Sequence, residues 1–343
     1  MKITDFDYDL PENLIAQNPL EKRADSRMLV ANRLEKTLED KHFYDFPEFL
    51  REDDLIVLNN TKVFPARIFG TSDTGAKVEL FLVRETESKT WETLARPARR
   101  LKTGKKIIFN ENLSAEVLEK SEEGRIFVKF EANGDFNKIL DEIGQTPLPP
   151  YIKREAGSLD KDRERYQTVF ARKRGAIAAP TAGLHFTPQI LEEIKARGIS
   201  VAEITLHVGY GTFEPVRVSD LSEHKVMPER CEISPETAGI LNQAKSENRR
   251  IIAIGTTTTR ALESAAQENG KIKAGEFSAN LTITPEYKFR VISGLLTNFH
   301  LPQSSLLVLV STFGGYNFIM NTYRHAVESR YRFYSYGDCM LII

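Results

Sequence analysis

The sequence predicts an α/β fold in which a main domain with a mixed sheet carries a small inserted β-barrel domain. Three observations predict it. The length of 343 residues favours two domains, because a single hydrophobic core usually stops growing at about 250–300 residues. Short β-type runs separated by Gly, Asp or Asn fill the first half of the chain. After the proline-rich residues 147–150, apolar strands alternate with amphipathic helices.

The β-rich part predicts the barrel. Its runs are regularly spaced and bounded by turn residues, as in small all-β units. We expect a buried strand at residues 55–58, followed by strands at 63–69, 77–83, 91–95, 105–109 and 125–130. The simplest division places residues 61–150 in the barrel and residues 1–60 with 151–343 in a discontinuous α/β domain.

The second half predicts a partly parallel sheet covered by helices. We expect helices at residues 188–197, 235–248, 259–268 and 317–332. The expected strands are residues 200–208 and 250–255, with further strands near Leu281 and Arg290.

Composition and the first residues limit the class of protein. Hydrophobic residues make up 41% and charged residues 28% of the chain, as in ordinary globular proteins. No apolar run reaches the roughly 20 residues that span a bilayer, and the first ten residues carry Asp5, Asp7 and Asp9 where a secretory signal is basic and apolar. We therefore expect a cytoplasmic protein without membrane contact.

The cysteines and one His/Glu pair do not predict a metal site. Cys231 and Cys339 lie far apart in sequence and lack further ligands at short spacing, so we interpret both as ordinary thiols. His224 and Glu229 are five positions apart, but Pro228 opposes a helix that carries both, and the H-E-x-x-H spacing is absent. We expect no metal.

A glycine and four threonines follow the strand predicted at residues 250–255. Such a strand-to-helix turn presents backbone N–H groups and a helix dipole to a carboxylate, phosphate or ribose hydroxyl. One helix cap needs only one hydroxyl, so the run favours a ligand site, although simple capping remains the alternative. The residues concerned are Gly255, Thr256, Thr257 and Thr258, followed by Arg260. Neither G-x-G-x-x-G nor the P-loop signature is present.

Three further loops at predicted strand ends carry a histidine, and loops at the carboxyl ends of strands surround the ligand crevice of α/β sheets. Histidine exchanges protons near neutral pH, so His185, His207 and His300 are candidate acids or bases. Structural histidines and simple helix capping are the alternatives. The neighbouring candidates for substrate contacts are Thr181, Gly183, Gly209, Thr212, Phe213 and Asn298.

A basic run lies in the predicted barrel. The formal net charge is −1, so any attraction to nucleic acid must come from a local patch. Residues 96–106 contain no acidic residue and include six cations, Arg96, Arg99, Arg100, Lys102, Lys105 and Lys106. Solvated surface charge is the alternative to phosphate contacts.

Several long segments resemble the S-adenosylmethionine:tRNA ribosyltransferase-isomerase family. They include Phe-Asp-Tyr-Asp-Leu-Pro at 6–11, Gly-Gln-Thr-Pro-Leu-Pro-Pro-Tyr-Ile at 144–152, Pro-Thr-Ala-Gly-Leu-His-Phe at 180–186, Thr-Leu-His-Val-Gly at 205–209 and Asn-Phe-His-Leu-Pro at 298–302. Further segments at 14–17, 58–63, 65–67, 165–169 and 211–213 extend the resemblance nearly end to end.

The resemblance implies a reaction in the queuosine pathway. The ribosyl group of S-adenosylmethionine is transferred and isomerised onto 7-aminomethyl-7-deazaguanine at the wobble position of a tRNA with a GUN anticodon, giving epoxyqueuosine, adenine and methionine. S-adenosylmethionine is then a consumed substrate, and no cofactor is expected. The implied catalytic candidates are His185, His207, His300 and Glu229, with His224 and the Thr256 turn in substrate binding. We expect a monomer.

One position departs from the family pattern. The family segment His-x-Met-His-x-Glu has a second histidine where this chain has Met227, whereas His224 and Glu229 stand at matching positions. A catalytic role common to all members therefore cannot rest on that second histidine.

Two other functions remain open from the sequence. An RNA methyltransferase uses the same donor, but the chain lacks the early glycine-rich loop of the usual nucleotide fold. A non-catalytic RNA-binding module would need the basic run but not three histidine loops.

Overall fold

The computed structural model describes residues 1–122, 124–154, 160–213 and 216–343. Its strands are β1 Arg27–Asn32, β2 Thr37–His42, β3 Leu55–Asn59, β4 Thr61–Val63, β5 Arg67–Ser72, β6 Lys77–Glu87, β7 Thr90–Arg96, β8 Lys106–Asn110, β9 Leu113–Lys120, β10 Ile126–Ala132, β11 Lys173–Ala176, β12 Ser200–Leu206, β13 Glu229–Ile233, β14 Ile251–Ile254, β15 Gly275–Ala279, β16 Gly294–Asn298 and β17 Cys339–Ile342.

The α-helices lie mainly in the second half. They are α1 Phe136–Ile143, α2 Asp160–Arg165, α3 Pro188–Ala196, α4 Pro235–Ser246, α5 Thr256–Ala265, α6 Ser305–Gly314 and α7 Tyr316–Glu328. Short 3₁₀ helices span Ile3–Phe6, Glu12–Leu14, Arg23–Asp25, Phe43–Phe49, Ala98–Arg100, Thr181–His185, Tyr210–Phe213 and Leu221–Glu223. No helix of the described residues is long and apolar enough to cross a membrane.

A nine-stranded mixed sheet forms the main domain, in the order β15-β13-β12-β3-β14-β16-β17-β1-β2. Strands β12, β3, β14 and β16 are parallel neighbours. Every residue of β3, β14 and β16 is buried, because both faces of the central strands are covered. The parallel strands end at one edge of the sheet, and the loops that follow them meet there.

A closed antiparallel barrel forms the inserted unit, in the order β10-β7-β6-β5-β8-β9. Along β6, buried positions alternate with more exposed ones over Lys77–Val83, the period expected when one face of each strand fills the interior. The barrel core includes Ile68, Leu80, Val117 and Val128. The predicted α/β fold with an inserted barrel is confirmed, while the division after residues 60 and 150 stays a prediction.

Some predicted elements were wrong. Strand β15 ends at Ala279, two residues before the position expected near Leu281, and a loop replaces the strand expected near Arg290. That loop is apolar because Val291 and Ile292 are buried, and their backbone N–H groups donate to the Glu263 carboxylate rather than to a strand. Strands β1, β2, β9, β13 and β17 were not predicted from the sequence.

Helices α5 and α7 differ most from their predicted bounds. Helix α5 begins at Thr256, three residues before the predicted start, so the threonines form its first turns instead of a preceding loop. The predicted helix at 317–332 is α7, which ends at Glu328, and Gly315 separates it from α6 with a φ of 91° that favours glycine.

Candidate active site

A cleft opens beside the carboxyl ends of β14 and β16. Its lining combines hydroxyl, amide and imidazole groups with aromatic rings, and comes from Tyr151, Tyr166, Ala178, Ala179, Pro180, Thr181, Ala182, Val208, Gly255, Thr256, Thr257, Thr297, Asn298, Phe299, His300, Leu306, Tyr334 and Ser335. Six residues predicted for substrate or catalysis from sequence therefore meet here: Thr181, Gly255, Thr256, Thr257, Asn298 and His300.

The N-terminus of α5 faces this cleft. Gly255 adopts a φ of 94° between β14 and the helix. The first intrahelical bond runs from the Thr259 N–H to the Gly255 carbonyl at 3.1 Å, so the preceding N–H groups have no partner within the helix. The buried Thr257 hydroxyl has no hydrogen-bond partner among the described residues. A polar ligand can satisfy both the helix end and this hydroxyl.

The side chains of Thr258 and Thr259 bond to the backbone of the protein instead of lining the cleft. Thr258 Oγ1 donates to the Ile254 carbonyl at 2.6 Å, and Thr259 Oγ1 donates to the Gly255 carbonyl at 3.2 Å. Both side chains are fully buried against the protein. The run of hydroxyls thus divides into two residues that line the cleft and two that tie the helix to the end of β14.

His300 is the histidine that lines the cleft. Its Nε2 lies 2.9 Å from Thr297 Oγ1, its backbone N–H donates to the Tyr323 hydroxyl at 3.1 Å, and its carbonyl accepts from the Tyr8 hydroxyl. Burial lowers the pKa of His300 to about 3. The ring is therefore neutral at physiological pH and held in a fixed place.

His185 lies behind the cleft and reaches it through Asn298. His185 Nε2 is 3.2 Å from Asn298 Oδ1, and Nδ1 is 2.7 Å from Ser26 Oγ. Burial lowers the pKa of His185 to about 4, against the opposing effect of the Asn298 hydrogen bond. The Asn298 amide in turn donates to the Tyr334 carbonyl at 2.9 Å, so one chain of hydrogen bonds orients both groups.

His207 occupies a different position, at the end of β12. Its Nδ1 lies 2.8 Å from Thr61 Oγ1, and burial lowers its pKa. A Cβ atom on Gly175 would lie 2.6 Å from the ring, so the close approach of β11 requires glycine there. His207 does not line the cleft.

Glu229 and Arg260 form a buried ion pair at 2.8 Å. The second Glu229 oxygen accepts the backbone N–H of Gly209 at 2.9 Å. Arg260 also donates to the Ala279 carbonyl at 3.3 Å. The pair therefore joins α5, β13 and the loop after β12, where Gly209 lies.

His224 and Met227 line cavities next to the main cleft, on its side near α6. His224 Nε2 is buried and has no hydrogen-bond partner among the described residues, and burial followed by Arg260 lowers its pKa. The Met227 side chain packs against Gly211, where an added Cβ would lie 2.8 Å from it. Arg260 lines one of these cavities, and Leu306 contributes both to it and to the main cleft.

An aromatic wall of the cleft was missed as a site by the sequence reading. Tyr151 and Tyr334 make an edge-to-face contact with ring centroids 3.9 Å apart. The Tyr151 hydroxyl bonds with Ser335 Oγ, and burial raises the pKa of Tyr151. Tyr166 completes the wall. The Tyr-Ser-Tyr run at 334–336 is the local signal that could have indicated it.

The remaining predicted residues are distributed elsewhere. Gly183 packs beside Phe170, where a Cβ would lie 2.7 Å from the ring, so its role in the structure is close packing. The side chains of Thr212 and Phe213 lie outside the described part of the chain.

The basic run lies on the barrel between β7 and β8. Arg96, Arg99, Arg100, Lys102 and Lys106 are exposed, while Lys105 is half-buried and pairs with Asp73 at 3.1 Å. Five cations are therefore presented to solvent.

The described residues contain no group of three His, Cys, Asp or Glu side chains arranged to hold a metal ion. Cys231 and Cys339 are buried free thiols, and burial raises the pKa of Cys231 to about 12.

The mixed sheet, the inserted barrel and a cleft that joins a helix N-terminus to a neutral histidine and aromatic rings define an α/β enzyme with a polar, aromatic-lined candidate site. A family model described as queuosine biosynthesis protein matches residues 3–342. The chain belongs to this family.

Relatives agree with this assignment over the full length. The S-adenosylmethionine:tRNA ribosyltransferase-isomerases of Syntrophotalea carbinolica and Halothermothrix orenii are 47% and 46% identical, each alignment covering 100% of both chains. The crystal structure of the S-adenosylmethionine tRNA ribosyltransferase from Thermotoga maritima is 35% identical, with a TM-score of 0.56, and covers 99% of this chain and 100% of that one.

Proposed function

We propose that this enzyme transfers and isomerises the ribosyl moiety of S-adenosylmethionine onto 7-aminomethyl-7-deazaguanine at the tRNA wobble position. The products are epoxyqueuosine in tRNA, adenine and methionine. The family, the names of its full-length relatives and the cleft support this reaction. The same names do not favour an RNA methyltransferase or a non-catalytic module.

The observation that carries the proposal is the unpartnered Thr257 hydroxyl beside the open N-terminus of α5, inside a cleft with aromatic walls. The helix end suits the carboxylate or the ribose hydroxyls of S-adenosylmethionine. The rings of Tyr151, Tyr334 and Phe299 suit a planar base or a sulfonium cation.

The reaction needs a base and an acid in a site with little water. The sulfonium acidifies the adjacent 5′ carbon and makes methionine a good leaving group, while adenine leaves more easily once protonated. His300 lines the cleft, so we assign it to proton transfer near the reacting atoms. His185 acts through Asn298, and His207 and Glu229 stay candidates from adjoining loops.

The proposed partners follow from the reaction. A tRNA with a GUN anticodon is the acceptor, S-adenosylmethionine is consumed as substrate, and no further cofactor is required. A tRNA substrate implies a cytoplasmic enzyme, and we propose that it acts as a monomer. The exposed barrel cations from Arg96 to Lys106 would contact tRNA phosphates.

The test is incubation of the purified enzyme with S-adenosylmethionine and tRNA that carries the aminomethyl-deazaguanine base. Free adenine is followed by chromatography and the modified base by mass spectrometry. We expect adenine, methionine and a ribosyl-derived mass gain on the tRNA. The matched control is the same tRNA with guanine at the wobble position. S-adenosylhomocysteine as product would instead identify a methyltransferase, and binding without turnover would leave an RNA-binding module.

A further inference from the structure

A second cavity lies behind the candidate active site and is lined by three arginines. Its walls include Arg23, Arg165 and Arg332 together with Ser26, His185 and Ser335. Ser335 lines both this cavity and the main cleft, so the two spaces adjoin. No acidic side chain contributes to the lining.

The three guanidinium groups are held by main-chain carbonyls. Arg23 donates to the Leu184 and Glu164 carbonyls at 3.0 and 3.1 Å, and Arg165 donates to the Glu21 and Leu20 carbonyls at 2.8 and 2.6 Å. Arg332 donates to the Asn18 carbonyl, which lies in the same N-terminal segment as Leu20 and Glu21. These bonds fix the orientation of each cation without neutralising its charge.

No carboxylate of the described residues forms an ion pair with Arg23, Arg165 or Arg332. The nearby Asp338 carboxylate accepts the backbone N–H groups of Arg27 and Arg332, at 2.9 and 2.8 Å, rather than a guanidinium. Burial, and then the neighbouring Arg165, lower the pKa of Arg23, against a smaller opposing effect of Glu164. Arg23 and Arg165 thus lie close enough to repel each other, and an anion would relieve that repulsion.

Two guanidinium donor atoms in this cluster lack a hydrogen-bond partner among the described residues. They are Arg165 Nε and Arg332 Nη1, and both are buried. Buried donors are normally satisfied, and leaving one unpaired costs about 1–3 kcal/mol. Guanidinium groups in a fixed fork geometry match the oxygens of a phosphate.

We propose that Arg23, Arg165 and Arg332 form a subsite for a backbone phosphodiester of the RNA substrate, next to the nucleotide whose base enters the main cleft. This inference rests on the proposed function. The carboxylate of S-adenosylmethionine is a poorer fit, because the N-terminus of α5 already offers it a place inside the main cleft. Three cations around one cavity exceed what a single carboxylate needs.

The test compares Arg165→Gln and Arg332→Gln with Arg33→Gln as the matched control. The Arg33 guanidinium also donates to two carbonyls, those of Phe313 and Ser293, each at 3.1 Å, and does not line this cavity. Affinity for an anticodon stem-loop RNA is measured by fluorescence anisotropy over a series of salt concentrations. We expect about tenfold weaker binding for each cavity variant and a salt slope smaller by about one. The control keeps the wild-type values.

RNAs with single methylphosphonate linkages on either side of the wobble nucleotide locate the contact. At one position, the neutral linkage should weaken RNA binding by the wild type about tenfold and leave the RNA affinity of Arg165→Gln unchanged. The proposal is overturned if every neutral linkage weakens Arg165→Gln binding by the same factor as wild-type binding. It is also overturned if the cavity variants bind RNA as tightly as the control. Weaker S-adenosylmethionine binding with unaltered RNA binding would assign the cavity to the carboxylate instead. Because binding needs no turnover, a wild-type enzyme that releases no adenine would refute the proposed function without deciding this test.

Discussion

At the scale of single residues, a substitution of Thr257 can test ligand binding without changing the stability of the fold. Its buried hydroxyl has no hydrogen-bond partner among the described residues, so removing it breaks no hydrogen bond to them. We predict that Thr257→Val weakens S-adenosylmethionine binding about tenfold, the loss of one hydrogen bond, and leaves thermal stability unchanged. Titration calorimetry and a melting curve measure the two effects.

Thr259→Val is the control for that change. Thr259 Oγ1 donates to the Gly255 carbonyl at 3.2 Å, so its loss acts on the helix rather than on the ligand. We expect a lower melting temperature with a ligand affinity close to wild type. An unaltered affinity in Thr257→Val would remove this hydroxyl from the site.

His185 makes stability depend on pH. Burial lowers its folded pKa to about 4, below the ordinary value of 6.5, so the unfolded chain takes up the proton first as the pH falls. The stability that the neutral ring provides is present above pH 6.5 and is lost between about pH 6.5 and 4. The loss is at most about 1.4 kcal/mol per pH unit.

We predict that His185→Gln flattens the dependence of the unfolding free energy on pH in this window, since glutamine does not titrate. Urea denaturation at several pH values measures the slope. His42→Gln, which changes an exposed ring, is the matched variant and should retain the wild-type slope. A slope for His185→Gln equal to wild type would show that this buried histidine does not govern acid sensitivity.

Residue-level prediction from the sequence succeeded where a strand end and a polar loop are adjacent in the chain. Thr256, Thr257, Asn298 and His300 were found in this way and share the cleft. Tyr151 and Tyr334 were not found, because they are 183 positions apart and meet only through the folded sheet. Ionic partners such as Glu229 and Arg260 likewise become visible only in three dimensions.

At the scale of elements, Glu263 in α5 organises the loop before β16. Its carboxylate accepts the Tyr287 hydroxyl at 2.8 Å and the backbone N–H groups of Arg290, Val291 and Ile292 at 2.8 to 3.1 Å. We predict that Glu263→Gln lowers the unfolding free energy by about 3 kcal/mol, because an amide NH₂ would face N–H donors.

Hydrogen exchange measures this effect at the element itself. Amides of residues 290–292 should exchange faster in Glu263→Gln, whereas those of β3 should change only as far as overall stability falls. The exposed Glu268, which follows α5, supplies the control Glu268→Gln. Equal exchange in the two variants would contradict a role for Glu263 in holding the loop.

Helices were predicted well where a helical pattern of apolar residues follows a capping residue and a proline. Helices α3 and α4 begin at Pro188 and Pro235, as predicted, after Thr187 and Ser234, whose hydroxyls cap them. The predicted strand near Arg290 failed because its apolar residues are buried in a loop held by one carboxylate. Strands β1 and β17 were missed because they pair with each other across 311 positions, which no local pattern reveals.

At the scale of the whole molecule, the exposed cations of the barrel are not among the residues that line the candidate cleft. The chain carries a formal net charge of −1, yet Arg99 and Arg100 lie exposed on the barrel with further cations around them. The barrel has its own buried core, distinct from that of the main sheet. Surface substitutions on it should therefore change RNA affinity without disturbing the site for S-adenosylmethionine.

We predict that Arg99→Glu combined with Arg100→Glu weakens tRNA binding at least tenfold near 0.1 M salt and reduces the salt slope by about two, since two phosphate contacts are lost. Circular dichroism and S-adenosylmethionine affinity should remain at wild-type values, because both side chains are exposed. Lys129→Glu combined with Lys138→Glu makes the same charge change at exposed positions of β10 and α1. If both double variants lose affinity equally, the effect is one of net charge, and the run from Arg96 to Lys106 is not the RNA contact.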